Sequence, residues 1–124
     1  MTTPSIQANT DTVKLVREVL GEHTCDRRSS ESYIRKTYPN FDIEPELSEK
    51  DPLWTADHRE TNDEQEIRLR KFLDQVFQVD NATYISITSH SGAIRNMLKI
   101  LGHREFALQT GGVIPVVVKV TRHA

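Results

Sequence analysis

The run from Tyr84 to Gly92, Tyr-Ile-Ser-Ile-Thr-Ser-His-Ser-Gly, gathers the residue types best suited to chemistry in this chain. An apolar stretch ends in Ser89-His90-Ser91-Gly92, and a helix-forming stretch follows. In α/β sheets, ligands bind beyond the carboxyl ends of strands, where the next helix begins. That helix start offers unpaired amides, here those of Ser91 and Gly92, and the positive end of the helix dipole. Such a place suits an anion, most often a phosphate. Gly92 lets the backbone come close to a ligand. His90 can donate a hydrogen bond to a phosphate oxygen or stabilise charge on a transferring phosphoryl group. The competing reading is structural, with Ser89 capping the helix and His90 a half-exposed polar residue. No glycine-rich nucleotide fingerprint accompanies the segment, and the hydrolase serine motif fails because Ser89 stands where glycine is required.

Arg27, Arg28 and Arg59 are candidates for holding a substrate anion, because a guanidinium grips carboxylate or phosphate with two bonds. Pairing with Asp26, Asp57 or Glu60 is the equal alternative for Arg28 and Arg59. His23 and Cys25 lie two apart, but no second ligand pair at zinc-finger spacing accompanies them, so Cys25 reads as a small packed thiol. Trp54 reads as an anchor for a long loop.

The elements that must carry these residues follow from periodicity. Asp11 precedes a helical pattern through Val13, Val16 and Leu20, stopped at Gly21. Ser30 caps a short helix through Tyr38, ended by Pro39. Residues 40–60 are irregular, pinned by Phe41, Leu47, Leu53 and Trp54. Thr61 and Glu64 form a capping box for a helix that turns out at Asp80 and Asn81. Residues 83–88 read as a strand, 92–101 as a helix closed by Gly102, and 113–120 as a second strand covered on both faces, with Pro115 as an irregularity. Two strands are few for a stable sheet.

The chain has 124 residues, the size of one domain or part of a larger one. With 16 basic and 18 acidic residues the net charge is -2, which argues against general nucleic-acid binding. No apolar run approaches the roughly 18 residues of a membrane span. The polar start at 1–10 reads as a frayed lead-in rather than a signal peptide, and the single cysteine fits a reducing compartment, so a cytoplasmic location is expected.

Several stretches taken in order resemble the C-terminal half of the histidine phosphatase (phosphoglycerate mutase-like) superfamily, in particular its fungal branch. They are Arg17-Glu18-Val19-Leu20-Gly21-Glu22-His23-Thr24-Cys25-Asp26-Arg27-Arg28, then Leu53-Trp54 through Arg59-Glu60-Thr61. Thr88-Ser89-His90-Ser91-Gly92-Ala93-Ile94-Arg95, Leu101-Gly102-His103 and Thr110-Gly111-Gly112-Val113-Ile114 follow. The resemblance implies an α/β fold, a three-layer helix-sheet-helix of histidine-phosphatase type, here incomplete, with its N-terminal strands missing. Residues 11–124 would form the C-terminal part of that domain. It implies phosphate-monoester hydrolysis through a phosphohistidine, without metal or other cofactor. His90 matches the family's second histidine, and Glu18 its acid-base carboxylate. On a helix, neighbours point about 100° apart, so Glu18 faces the site and Arg17 is solvated or ion-paired. Ser91 and Gly92 would bind phosphate, and Arg28 and Arg59 the rest of the substrate.

The family's nucleophile lies in an Arg-His-Gly segment, and no such triplet occurs in this sequence. Arg122-His123-Ala124 follows an apolar run but lacks the glycine. The expectation is a chain inactive alone. The alternative is a non-catalytic phosphate- or anion-binding protein, and a third reading is an enzyme completed by further chain. Expected partners are a small phosphorylated substrate or phosphate anion and other copies through unpaired sheet edges, with neither nucleic acid nor membrane.

Overall fold

The computed structural model describes residues 11–12, 17–23, 27–43 and 47–122. Its elements in chain order are β1 (Asp11–Thr12), α1 (Glu31–Thr37), β2 (Asp42–Ile43), α2 (Asn62–Val79) and α3 (Ser91–Ile100). The chain is α-rich, and its only sheet among the described residues is the short parallel pairing of β1 with β2, Asp11 opposite Asp42 and Thr12 opposite Ile43.

Helix α2 starts as its sequence dictates. The Thr61 hydroxyl accepts from the Glu64 amide at 3.2 Å, and the Glu64 carboxylate accepts from the Thr61 amide at 3.3 Å. The buried residues Leu69, Phe72 and Leu73 then fall on one face at helical spacing. Helix α3 presents Ala93 and Met97 to them, and these five side chains form one contiguous buried cluster among the described residues. Ile87, Ile94 and Leu101 pack around its margin. Gly102, at φ 74°, closes α3. Its amide reaches the Lys99 carbonyl and that of His103 the Leu98 carbonyl, the paired bonds of a Schellman stop that favours glycine. Ser30 caps α1 through the Tyr33 amide.

The helix expected after Asp11 is corrected where it is described. Residues 17–20 are irregular, 13–16 lie outside the described residues, and Asp11–Thr12 is a bridging strand. The reason is that this backbone is claimed from outside. Arg68 donates to the carbonyls of Arg17 and Glu18, and the Leu20 amide donates to the Glu60 carboxylate. A helical ladder would need those same groups.

The two expected strands are also corrected. Residues 83–88 and 113–120 form no ladder among the described residues, and the second is not covered on both faces. Tyr84 is 92% exposed, Val113 88% and Val117 102%. Strand propensity measures fit to a pleated, half-buried surface, and without a neighbouring strand it leaves apolar side chains in water. Ser89 does not cap α3 either: His90 is the N-cap, and it makes no side-chain capping bond. The lead-in at 1–10, Cys25 and His123 lie outside the described residues.

Candidate functional site

Glu18 sits in a bend held by α2. Its main-chain carbonyl and that of Arg17 accept from Arg68, itself locked to Glu60 by two bonds of 3.0 Å. Arg68 and Glu60 are both 8% exposed at their side chains, so neither charge is left unpaired away from water. Gly21 follows at φ 97°, a conformation that favours glycine, with the His58 carbonyl in the space a Cβ would take. The turn is tied across to the loop by Glu22 to Thr55 and Glu60 to Leu20 backbone bonds.

These constraints aim the Glu18 carboxylate at the start of α3. Oε2 accepts from the Gly92 amide at 3.0 Å, and Oε1 accepts from Gln65 Nε2 at 3.0 Å and the Val19 amide at 3.1 Å. A first-turn amide of α3 is thus satisfied by a carboxylate 74 residues away rather than by a cap. A Cβ on Gly92 would lie 2.6 Å from Oε1 and 2.7 Å from Oε2 of Glu18. The close approach expected of a ligand at Gly92 is made here by the carboxyl group of Glu18.

Beside this contact opens a cavity of about 290 Å³ lined by Glu18, Val19, Arg59, Ser91, Gly92, Arg95 and Ala107. It brings together four of the sequence-expected residues: Glu18, Ser91, Gly92 and Arg59. Arg59 is oriented by donating to the Gly21 carbonyl at 3.0 Å. Arg95 is exposed, one helical turn after Ser91, and adds a second guanidinium that sequence reading gave no role. His90 is exposed and lines the adjoining broad groove, which Glu18 and Ser91 also border. Arg28 lies elsewhere. It donates to the carbonyls of Ser29, Ser48 and Lys50, fastening the 48–50 loop. Arg17 pairs with Asp51 through bonds of 2.8 and 2.7 Å, the ion-paired role expected for it. Trp54 donates to the His23 carbonyl and stacks under Arg27 at 5.2 Å, which fits an anchor.

Gln65 and Asn96, each 1% exposed, escaped sequence reading. The signal was present as polar residues on the apolar faces of α2 and α3, Gln65 one turn before Leu69 and Asn96 beside Met97. No family model matches the chain, and no solved structure matches it. A probable phosphoglycerate mutase of Arthroderma benhamiae is 54% identical over 110 residues, 88% of this chain. The chain belongs to the phosphoglycerate mutase-like proteins of the histidine phosphatase superfamily. A probable phosphoglycerate mutase of Saccharomyces cerevisiae is 37% identical over 90% of the chain, and a phosphomutase-like protein of Candida albicans 31% over 89%. This phosphoglycerate mutase-like chain spans only 33%, 42% and 35% of those three proteins. No helix among the described residues is long and apolar enough to cross a membrane.

Proposed function

We propose that this chain carries the proton-transferring and anion-holding part of a phosphohistidine site that hydrolyses phosphate monoesters. The single observation that supports the reading best is the Glu18 carboxylate held at the start of α3, against Ser91 and Gly92 and beside Arg59. In this reading Ser91 and His90 donate hydrogen bonds to the phosphoryl oxygens, and Arg59 steers the rest of the substrate. Arg28 takes part only if the 48–50 loop releases it. A nucleophilic imidazole, supplied outside this chain, attacks phosphorus as the P–O bond to the substrate alcohol breaks. Protonated Glu18 gives its proton to the departing oxygen, which otherwise leaves as a poor alkoxide. Glu18, now a carboxylate, takes a proton from the water that attacks the phosphohistidine, releasing phosphate and restoring both groups. Residues 83–88 and 113–120 would join a sheet built mainly from other parts of the domain, giving the three-layer fold, and the chain would turn over nothing alone.

The test is to assay the purified chain on an aryl phosphate with acid-labile phosphoenzyme trapping, and to follow its melting with inorganic phosphate. No turnover, no trapped phosphoenzyme and a phosphate-dependent rise in Tm that shrinks in His90→Ala are expected. Turnover with a trapped phosphohistidine would overturn the assignment of the nucleophile to another segment. Phosphate stabilisation indifferent to His90 would overturn its role.

A further inference from the structure

We propose that Gln65 and Asn96 are positioning residues that fix Oε1 of Glu18 as a pure acceptor, leaving Oε2 as the oxygen that carries and delivers the proton. This deepens the proposed function and rests on reading Glu18 as its acid-base group.

Both amides are 1% exposed, at positions of α2 and α3 where an apolar side chain would pack at no desolvation cost. Their hydrogen bonds run in one direction. Asn96 Nδ2 donates to Asn62 Oδ1 at 2.9 Å and to Gln65 Oε1 at 2.6 Å, which uses both of its hydrogens. With its oxygen accepting, Gln65 must turn its nitrogen outward, and Nε2 donates to Glu18 Oε1 at 3.0 Å. The Val19 amide is the second donor to Oε1. An sp² oxygen has two in-plane lone pairs, so both directions of Oε1 face N–H groups, and a proton there would meet them head on. Among the described residues Oε2 accepts from the Gly92 amide alone, which leaves one of its two lone-pair directions without a donor. The Glu18 side chain borders the cavity that holds Ser91, Arg59 and Arg95; in this proposal the open position of Oε2 is the one from which a proton reaches a bound ester. A reacting group must be held to within about 0.5 Å, and a buried relay of hydrogen-bonded amides supplies rigidity that one flexible glutamate would not.

The test uses the full chain and the amide ¹H–¹⁵N signal of Gly92, which reports the Glu18 carboxylate directly. Glu18→Ala sets the position of a released amide. Gln65→Met, similar in shape but without donor or acceptor, is expected to move the signal more than half way to that position. Gly92 hydrogen exchange should then speed by at least about tenfold. Val76→Ala, a packing change on the same helix, is expected to lower Tm and leave the signal in place, a split that a merely structural role for Gln65 does not give. Should Gln65→Met not fold, the unaltered chain still decides. The Nε2 hydrogens of Gln65 are expected to be protected, unlike those of exposed Gln78 on the same helix. A folded Gln65→Met with Gly92 unmoved, or Gln65 hydrogens exchanging as fast as those of Gln78, overturns the positioning role. Failure of the acid-base reading looks different: Gly92 follows Gln65, while an active form of the enzyme keeps its rate in Glu18→Ala.

Discussion

A methyl group on Gly92 would sit 2.6 Å from one oxygen of Glu18 and 2.7 Å from the other, closer than van der Waals contact allows. Gly92→Ala is therefore expected to destabilise the chain by about 1–3 kcal/mol, as overpacking does, despite the ~1 kcal/mol that alanine gains in a helix. Urea unfolding checks this, and the double variant with Glu18→Ala should recover much of the loss, because the two residues are in direct contact. Sequence already places Ser89-His90-Ser91-Gly92 at the start of a helix, because these residues are contiguous, and Ser91 and Gly92 do line the cavity there. Glu18 was legible only through family resemblance. Its partners were not, because Gln65 lies 47 residues away and meets Asn96 across another 31. No local pattern records such a pairing.

At the scale of elements, α2 and α3 could be read because their signals are local: a capping box, an apolar face and a glycine stop. The segment around Glu18 could not, since its helical spacing of valines and leucines loses to Arg68 and Glu60, which take its backbone groups from a distance. The long loop is fixed in the same way. Asp51, its side chain 1% exposed, accepts from Arg17 and from the amides of Arg28 and Leu53. Burial pushes the Asp51 carboxyl up, but the Arg17 and Arg28 hydrogen bonds and the Arg17 charge outweigh it and hold the carboxyl below its ordinary value. A depressed folded value means stability that is present above the unfolded carboxylate range, near pH 3.9, and lost as pH falls through the folded value. Asp51→Asn is expected to cost about 3 kcal/mol at neutral pH, because it leaves Arg17 a partly buried charge without its carboxylate. Urea titrations between pH 2 and pH 7, a window set by that range, should show a shallower loss of stability in acid for the variant than for the unaltered chain.

For the whole molecule, the decisive feature is the groove of about 1570 Å³ lined by the helical pair and by residues 83–88 and 113–120, which form no ladder among the described residues. Leu73, Phe77, Ile94, Met97 and Leu101 line it, as do Val113 and Val117. Segments of strand propensity with exposed valines and no ladder among the described residues invite edge pairing. Sedimentation of the isolated chain is expected to show concentration-dependent association, weakened by Val117→Lys. Monomers at high concentration would remove that expectation. Residues 83–88 and 113–120 carry strand propensity without a ladder among the described residues, because a strand is a relation between segments that local propensity does not record. In the proposed function Glu18 moves the proton in a site whose nucleophile lies in another part of the domain. The most direct measurement is the turnover of an aryl phosphate by a chimera in which this chain replaces the matching third of the Arthroderma benhamiae relative, with and without Glu18→Ala. An active chimera is expected, its rate falling by about 10²–10⁴ on losing the carboxylate, the usual contribution of a general acid. An active chimera whose rate is unchanged by Glu18→Ala would contradict it.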